Sequence, residues 1–271
     1  MPMEENKANQ FGKTSKLYLT AGVKNGKTIL EDVYFTAPFK IMNPFYESKQ
    51  NDARMTVMCQ TASAGIMEGD TQEHRITVRP GASMRFTSQA YEKIHKMKSG
   101  YASRKTEITV ADHASLIYHP LPTLPFKDSA FESSVNVTLA DKSSVFVMKE
   151  VLSCGRAARG ERFQYRFYHN RIAISRGGEL LYLDNTRYDP QQTDMEDTGM
   201  YEGFTHLGSL VMIRPDIPED WIDSMRTRLD QAPDAEGGVT RIGNDGVVVR
   251  VLGKQADKLE KLLSDDYLLI R

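Results

Sequence analysis

An eleven-residue phrase that returns about every thirty residues constrains this chain more than any other feature. It is first written Ile76-Thr77-Val78-Arg79-Pro80-Gly81-Ala82-Ser83-Met84-Arg85-Phe86. It returns from Ile108 to Tyr118 and from Val137 to Val147, and more loosely from Ile172 to Tyr182. Each copy alternates β-branched and polar residues, makes a tight polar turn, and resumes as a second apolar strand. That pattern predicts a β-hairpin, and one hairpin cannot bury its apolar face alone. Stacking successive copies solves the problem. The expected fold is therefore mainly β, with stacked or wound hairpin repeats in β-helix-like layered sheets; an ordinary sandwich is the alternative.

The pattern changes towards the C-terminus. Pro218, Glu219 and Asp220 suit the first turn of a helix, and Trp221, Ile222, Met225 and Leu229 share one face of it. A hairpin turning at Asn244-Asp245-Gly246 follows, then a second helix with Leu259, Leu262 and Leu263 facing inward. The expected division is a β-rich repeat core over 15–210 and a small α+β lobe over 211–271 packed on it.

Composition narrows the function. With 35 Lys and Arg against 36 Asp and Glu, the net charge of −1 offers no general attraction for nucleic acid or an anionic membrane. Residues 1–16 are polar, and no apolar run is long enough to span a bilayer. Cys59 and Cys154 stand isolated, which suits a reducing cytoplasm and argues against a disulfide framework or a structural zinc site. A cytoplasmic location is expected.

Motifs for catalysis are missing: the chain has no Gly-x-Ser-x-Gly elbow, Walker loop or Gly-x-Gly-x-x-Gly turn. The acids Asp194, Glu196 and Asp197 suit acid–base work on a glycan, so a β-helix carbohydrate-acting enzyme is the alternative function; a solvated acidic loop is the plainer account of them. Two basic stretches, Lys93 to Lys105 and Arg156 to Arg166, have Glu92, Glu107 and Glu161 beside or within them and no aromatic-interleaved RNA-binding pattern, so a protein-facing surface or internal ion pairing is the expected use. Asp70, Glu150 and Glu161 lie where strands meet Gly-containing loops or end, and by themselves read as turn formers.

Several segments, in order, resemble the UreD family of urease accessory proteins, called UreH in Helicobacter-type systems. They are Ser63 to Asp70, ending in Gly-Asp; Thr87-x-Gln89-x-x-x-Lys93; Leu116 to Phe126 around His119-Pro120-Leu121-Pro122; and Gly155-Arg156 followed by Gly160-Glu161-Arg162-Phe163. Phe39 to Tyr46 and Thr193-Asp194-Met195 are especially similar to the Helicobacter branch. The double-Gly signatures usual in the family's loop are reduced here to Ala64-Gly65 and Glu68-Gly69. The resemblance implies a non-catalytic maturation chaperone with no tightly bound cofactor. It would bind UreF-type and UreG-type accessory proteins and apo-urease, with GTP hydrolysis on the UreG partner. It also implies Ni2+ in transit along an internal path that includes Asp70, Glu150 and Glu161.

Overall fold

The computed structural model describes residues 14–46 and 54–264. The polar first residues and the last part of the expected C-terminal lobe lie outside them. Among the described residues the fold is mainly β, in two layered sheets, as the repeats predict, with two short α-helices where the C-terminal periodicity predicts them.

The first sheet has seven strands, in the order Glu179–Tyr188, Phe167–Arg176, Ala130–Leu139, Ala102–Val110, Thr71–Val78, Ser15–Lys24 and Lys27–Phe35. Its four central pairings are parallel, and an antiparallel hairpin closes each edge. The second sheet runs Ala235–Ile242, Gly246–Gly253, His206–Ile213, Val145–Ser153, Ser115–His119, Ser83–Ser88, Met55–Thr61 and Phe39–Ile41, with three shorter strands beside it.

Three of the four repeat copies are not hairpins. In each, the strand before the turn belongs to the first sheet and the strand after it to the second, so neither pairs with the other. Pairing is between copies: Ile76 opposes Ile108, which opposes Val137, and Met84 opposes Leu116, which opposes Phe146. The handovers use four or five residues: 79–82, 111–114 and 140–144. Only the fourth copy folds back on itself, where Gly177-Gly178 supplies the two positive-φ residues of a tight hairpin turn. Asn25-Gly26 does the same at the opposite edge. Parallel neighbours need long crossovers, and here each crossover passes through the facing sheet.

Leu17, Leu19, Ile76, Val78, Ile108, Val110, Val137 and Leu139 on the first sheet meet Met84, Phe86, Leu116, Tyr118, Phe146 and Met148 on the second in one apolar core. A second apolar cluster, with Ile66, Ile94, Phe131, Leu152, Phe163, Tyr165 and Tyr201, fills the other end. A third lies outside the second sheet, where the helix Glu219–Asp230 buries Trp221, Ile222, Met225 and Leu229, the four residues its periodicity predicts. Leu259 of the helix Ala256–Leu262 and Leu263 just beyond it join that cluster, with Leu262 partly buried. The strand His206–Ile213 crosses position 210 and pairs with Gly246–Gly253, so the C-terminal strands continue the second sheet.

Candidate functional site

Strand register gathers polar side chains into a belt between the two inner apolar cores. Across the first sheet, Gln72 opposes Arg104, Arg104 opposes Ser133, Ser133 opposes Asn170, and Asn170 opposes Thr186. The next rung inward carries His74 and Thr106 side by side. Across the second sheet the matching rung holds Cys59 opposite Ser88, and Glu150 opposite Ser209, which opposes Arg250. Two residues further along in one direction these strands carry Phe131, Tyr168 and Leu152 of one core; in the other they carry Val135, Ile172 and Met148 of the other. Period-two alternation thus places apolar side chains inward above and below the belt and polar ones within it.

Buried polar groups need partners, and the charged members of the belt have them. Arg104 donates to Gln72 Oε1 at 2.9 and 2.6 Å and to Glu92 Oε2 at 2.6 Å. Asp184 pairs with Arg250 and accepts the Thr186 hydroxyl at 2.6 Å. Glu150 receives one side-chain hydrogen bond, from Asn170 Nδ2 at 3.1 Å. Burial pushes the Glu150 carboxyl up to about 7, against the Asn170 hydrogen bond, which favours the ionised form. His74 is buried, and the loss of water, with Arg104 nearby, holds its pKa well below the ordinary value, so the ring is neutral.

Two cavities open along the belt and share Pro120. One, of about 50 Å3, is lined by Glu150, Tyr168, Asn170, Asp184, Ser209 and Arg250 among others. The other, of about 130 Å3, is bordered by Cys59, Gln72, His74, Glu92 and Arg104. Other parts of its wall come from Ser63 to Ile66, Ser88 to Lys93, and Tyr118 with Pro120. Gly65 lets the first of these loops lie against the Lys93 segment: its φ is +145°, and a Cβ there would stand 2.4 Å from the Lys93 carbonyl oxygen.

The three carboxylates singled out from the sequence fall in different settings. Glu150 lines the smaller cavity. Asp70 closes its own turn, accepting the Met67 N–H at 2.8 Å, and its carbonyl accepts the Ser103 N–H. Glu161 binds the Arg156 guanidinium, which lies over the Phe126 ring, and accepts the Lys127 N–H at 3.1 Å. The Arg156 hydrogen bond holds the Glu161 carboxyl below its ordinary pKa. Asp70 and Glu161 belong to loops knitted together at the end of the body beyond the belt: Arg166 binds the Ser99 and Gly100 carbonyls, and Asp128 binds Met97 and Gln164 through the backbone. In the acidic loop, Glu196 pairs with Arg162 and Asp194 accepts the Glu196 N–H. Among the described residues, no three His, Cys, Asp or Glu side chains form a metal-holding group. No helix among them is long and apolar enough to cross a membrane.

Sequence reasoning missed Gln72, His74, Asn170, Asp184 and Arg250, and took Arg104 only as part of a basic stretch suited to a protein-facing surface or internal ion pairing, the latter of which its pairing with Glu92 shows. A signal for placing Gln72, His74, Arg104 and Asn170 was present: continuing the period-two alternation upstream from Ile76, Ile108 and Ile172 lands on polar residues at inward positions. Asp184 and Arg250 meet only through long-range pairing, 66 residues apart.

The fold and its belt define a β scaffold whose two apolar inner cores are separated by a polar layer. The family model described as "UreD urease accessory protein" matches residues 13–271, and the chain belongs to that family. It is 42% identical to the urease accessory protein UreD of Acetivibrio thermocellus over 255 residues, covering 94% of this chain and 96% of that protein. It is 34% identical to the urease accessory protein UreH of Helicobacter pylori strain G27, covering 93% and 92%. It is 29% identical to the urease accessory protein UreD of Flavobacterium johnsoniae, covering 90% and 88%. The chain is thus a urease accessory protein with a role in urease maturation.

Proposed function

We propose that this chain is a non-catalytic scaffold that binds UreF-type and UreG-type accessory proteins and apo-urease and passes Ni2+ towards the urease active site. The observation that carries the reading is the belt: oxygen-bearing side chains cross the interior between two apolar cores, with Glu150 at a cavity. Several imidazoles or thiolates would hold nickel tightly, because nickel stands high in the affinity order for such ligands. Spaced carboxylates and amides attract the ion and let it exchange. On this reading Asp70 and Glu161 act in the loops at one end and Glu150 acts inside the belt. The carbohydrate-enzyme alternative has no observation in its favour, since Glu196 is tied to Arg162 and Asp194 caps its own loop.

The test is co-expression of urease subunits and the other accessory proteins with and without this chain. Urease made without it is expected to be nickel-poor and inactive, and the chain is expected to co-purify with the UreF-type protein. Full nickel loading in its absence would overturn the reading.

A further inference from the structure

We propose that the Arg250–Asp184 ion pair is an exchangeable closure of the Glu150 cavity: a divalent cation entering the cavity takes Asp184 from Arg250 and is held jointly by Asp184 and Glu150. The proposal rests on the nickel-transfer reading and adds to it the residues that open the site.

Glu150, Asp184 and Arg250 line one cavity but come from three strands in two sheets. Glu150 lies on Val145–Ser153, Arg250 on Gly246–Gly253, and Asp184 on the edge strand Glu179–Tyr188 of the facing sheet. With Glu150 ionised, the lining holds two carboxylates and one guanidinium, a net negative hole. Asn170 and Ser209 line the same cavity, and their Oδ1 and Oγ make no hydrogen bond, although buried oxygens are seldom left without a partner. A cavity of about 50 Å3 has room for an ion together with a few water molecules. Carboxylate, amide and hydroxyl oxygens together suit a hard or borderline divalent ion.

Arg250 is placed to leave. Its side chain is 40% exposed while that of Asp184 is 14% exposed, so water solvates the guanidinium as it swings out. Its other side-chain contact, with the Tyr182 hydroxyl at 3.5 Å, is long. Asp184 keeps its Thr186 hydrogen bond on Oδ1, and Oδ2, the atom Arg250 holds, is the one exchanged.

The experiment is calorimetric titration of Ni2+ and, separately, Co2+ into the full chain, in the complex that keeps it soluble, against the same complex carrying a variant. Arg250→Gln removes the competing cation and is expected to tighten binding about tenfold. Asp184→Asn keeps the shape and the Thr186 hydrogen bond but removes the charge and the oxygen that Arg250 holds, and is expected to weaken binding about tenfold or more. Arg250→Lys keeps the charge and is expected to stay near the wild-type affinity. Thermal melts confirm that each variant is folded, and Asp184→Asn carries the test should Arg250→Gln fail to fold. Affinities unchanged in both Arg250→Gln and Asp184→Asn overturn the closure, whatever urease activation does. Affinities that move as expected while urease nickel content stays constant keep the closure and remove the transfer reading instead.

Discussion

Glu150 sits within Val145–Ser153 at an inward position of an otherwise apolar alternation, with Phe146 and Met148 before it and Leu152 after, and does not end its strand as its sequence context suggests. Its raised pKa has a consequence for stability. The folded state holds a proton on this carboxyl up to about pH 7, whereas the unfolded chain releases it near its ordinary 4.5. The native state therefore binds more protons between these values, and stability falls as pH rises through that window. Glu150→Gln removes the effect. Its melting temperature should exceed that of the wild type at pH 8, by an amount corresponding to at most about 3 kcal/mol, and the advantage should vanish at pH 4.5. An advantage that is the same at both pH values would show that ionisation is not its source. Asp70 and Glu161 are each tied into a turn, as the turn-former reading of their sequence context has it.

Among the elements, strands and helices were legible and their partners were not. Period-two alternation locates Thr71–Val78, Ser83–Ser88 and their equivalents, but it is indifferent to which sheet a strand joins. The deciding difference lay in the turns. Two-residue Asn-Gly and Gly-Gly turns fold a strand back on itself, whereas four- or five-residue turns hand the chain to the facing sheet. The helix Glu219–Asp230 was legible because its apolar face buries as a unit; Trp221→Ala should cost about 3–5 kcal/mol, read as a lowered melting temperature. An unchanged melt with lost partner binding would instead place Trp221 in an interface. Gly65 was legible as a turn residue only, since its close approach to Lys93 depends on the parallel bridge between Ile66 and Ile94. Gly65→Ala should destabilise the fold by about 1–3 kcal/mol, measured by denaturant titration, and retained stability would mean that the loop moves without cost.

At the scale of the whole molecule, the first sheet ends in two exposed edge hairpins. Val33, Tyr34 and Phe35 are exposed on one, Leu180 and Leu183 on the other, and Met42, Phe45 and Tyr46 add to the exposed apolar surface. Unpaired edges and exposed apolar side chains favour association. The isolated chain is expected to aggregate and to become monodisperse with the UreF-type protein proposed as its partner, as judged by size exclusion. A soluble lone monomer that the partner does not change would count against this surface being covered in the working complex. The belt, by contrast, needed the full topology before it could be seen, because it joins residues as far apart as Gln72 and Arg250 in one layer. On the proposed function, nickel passes the Glu150 carboxylate on its way to urease. The most direct measurement is the nickel content of urease matured with Glu150→Ala, in complexes shown to co-purify as the wild type does. Nickel per urease active site is expected to fall, with activity falling in proportion; nickel loading at the wild-type level from an intact Glu150→Ala complex would contradict it.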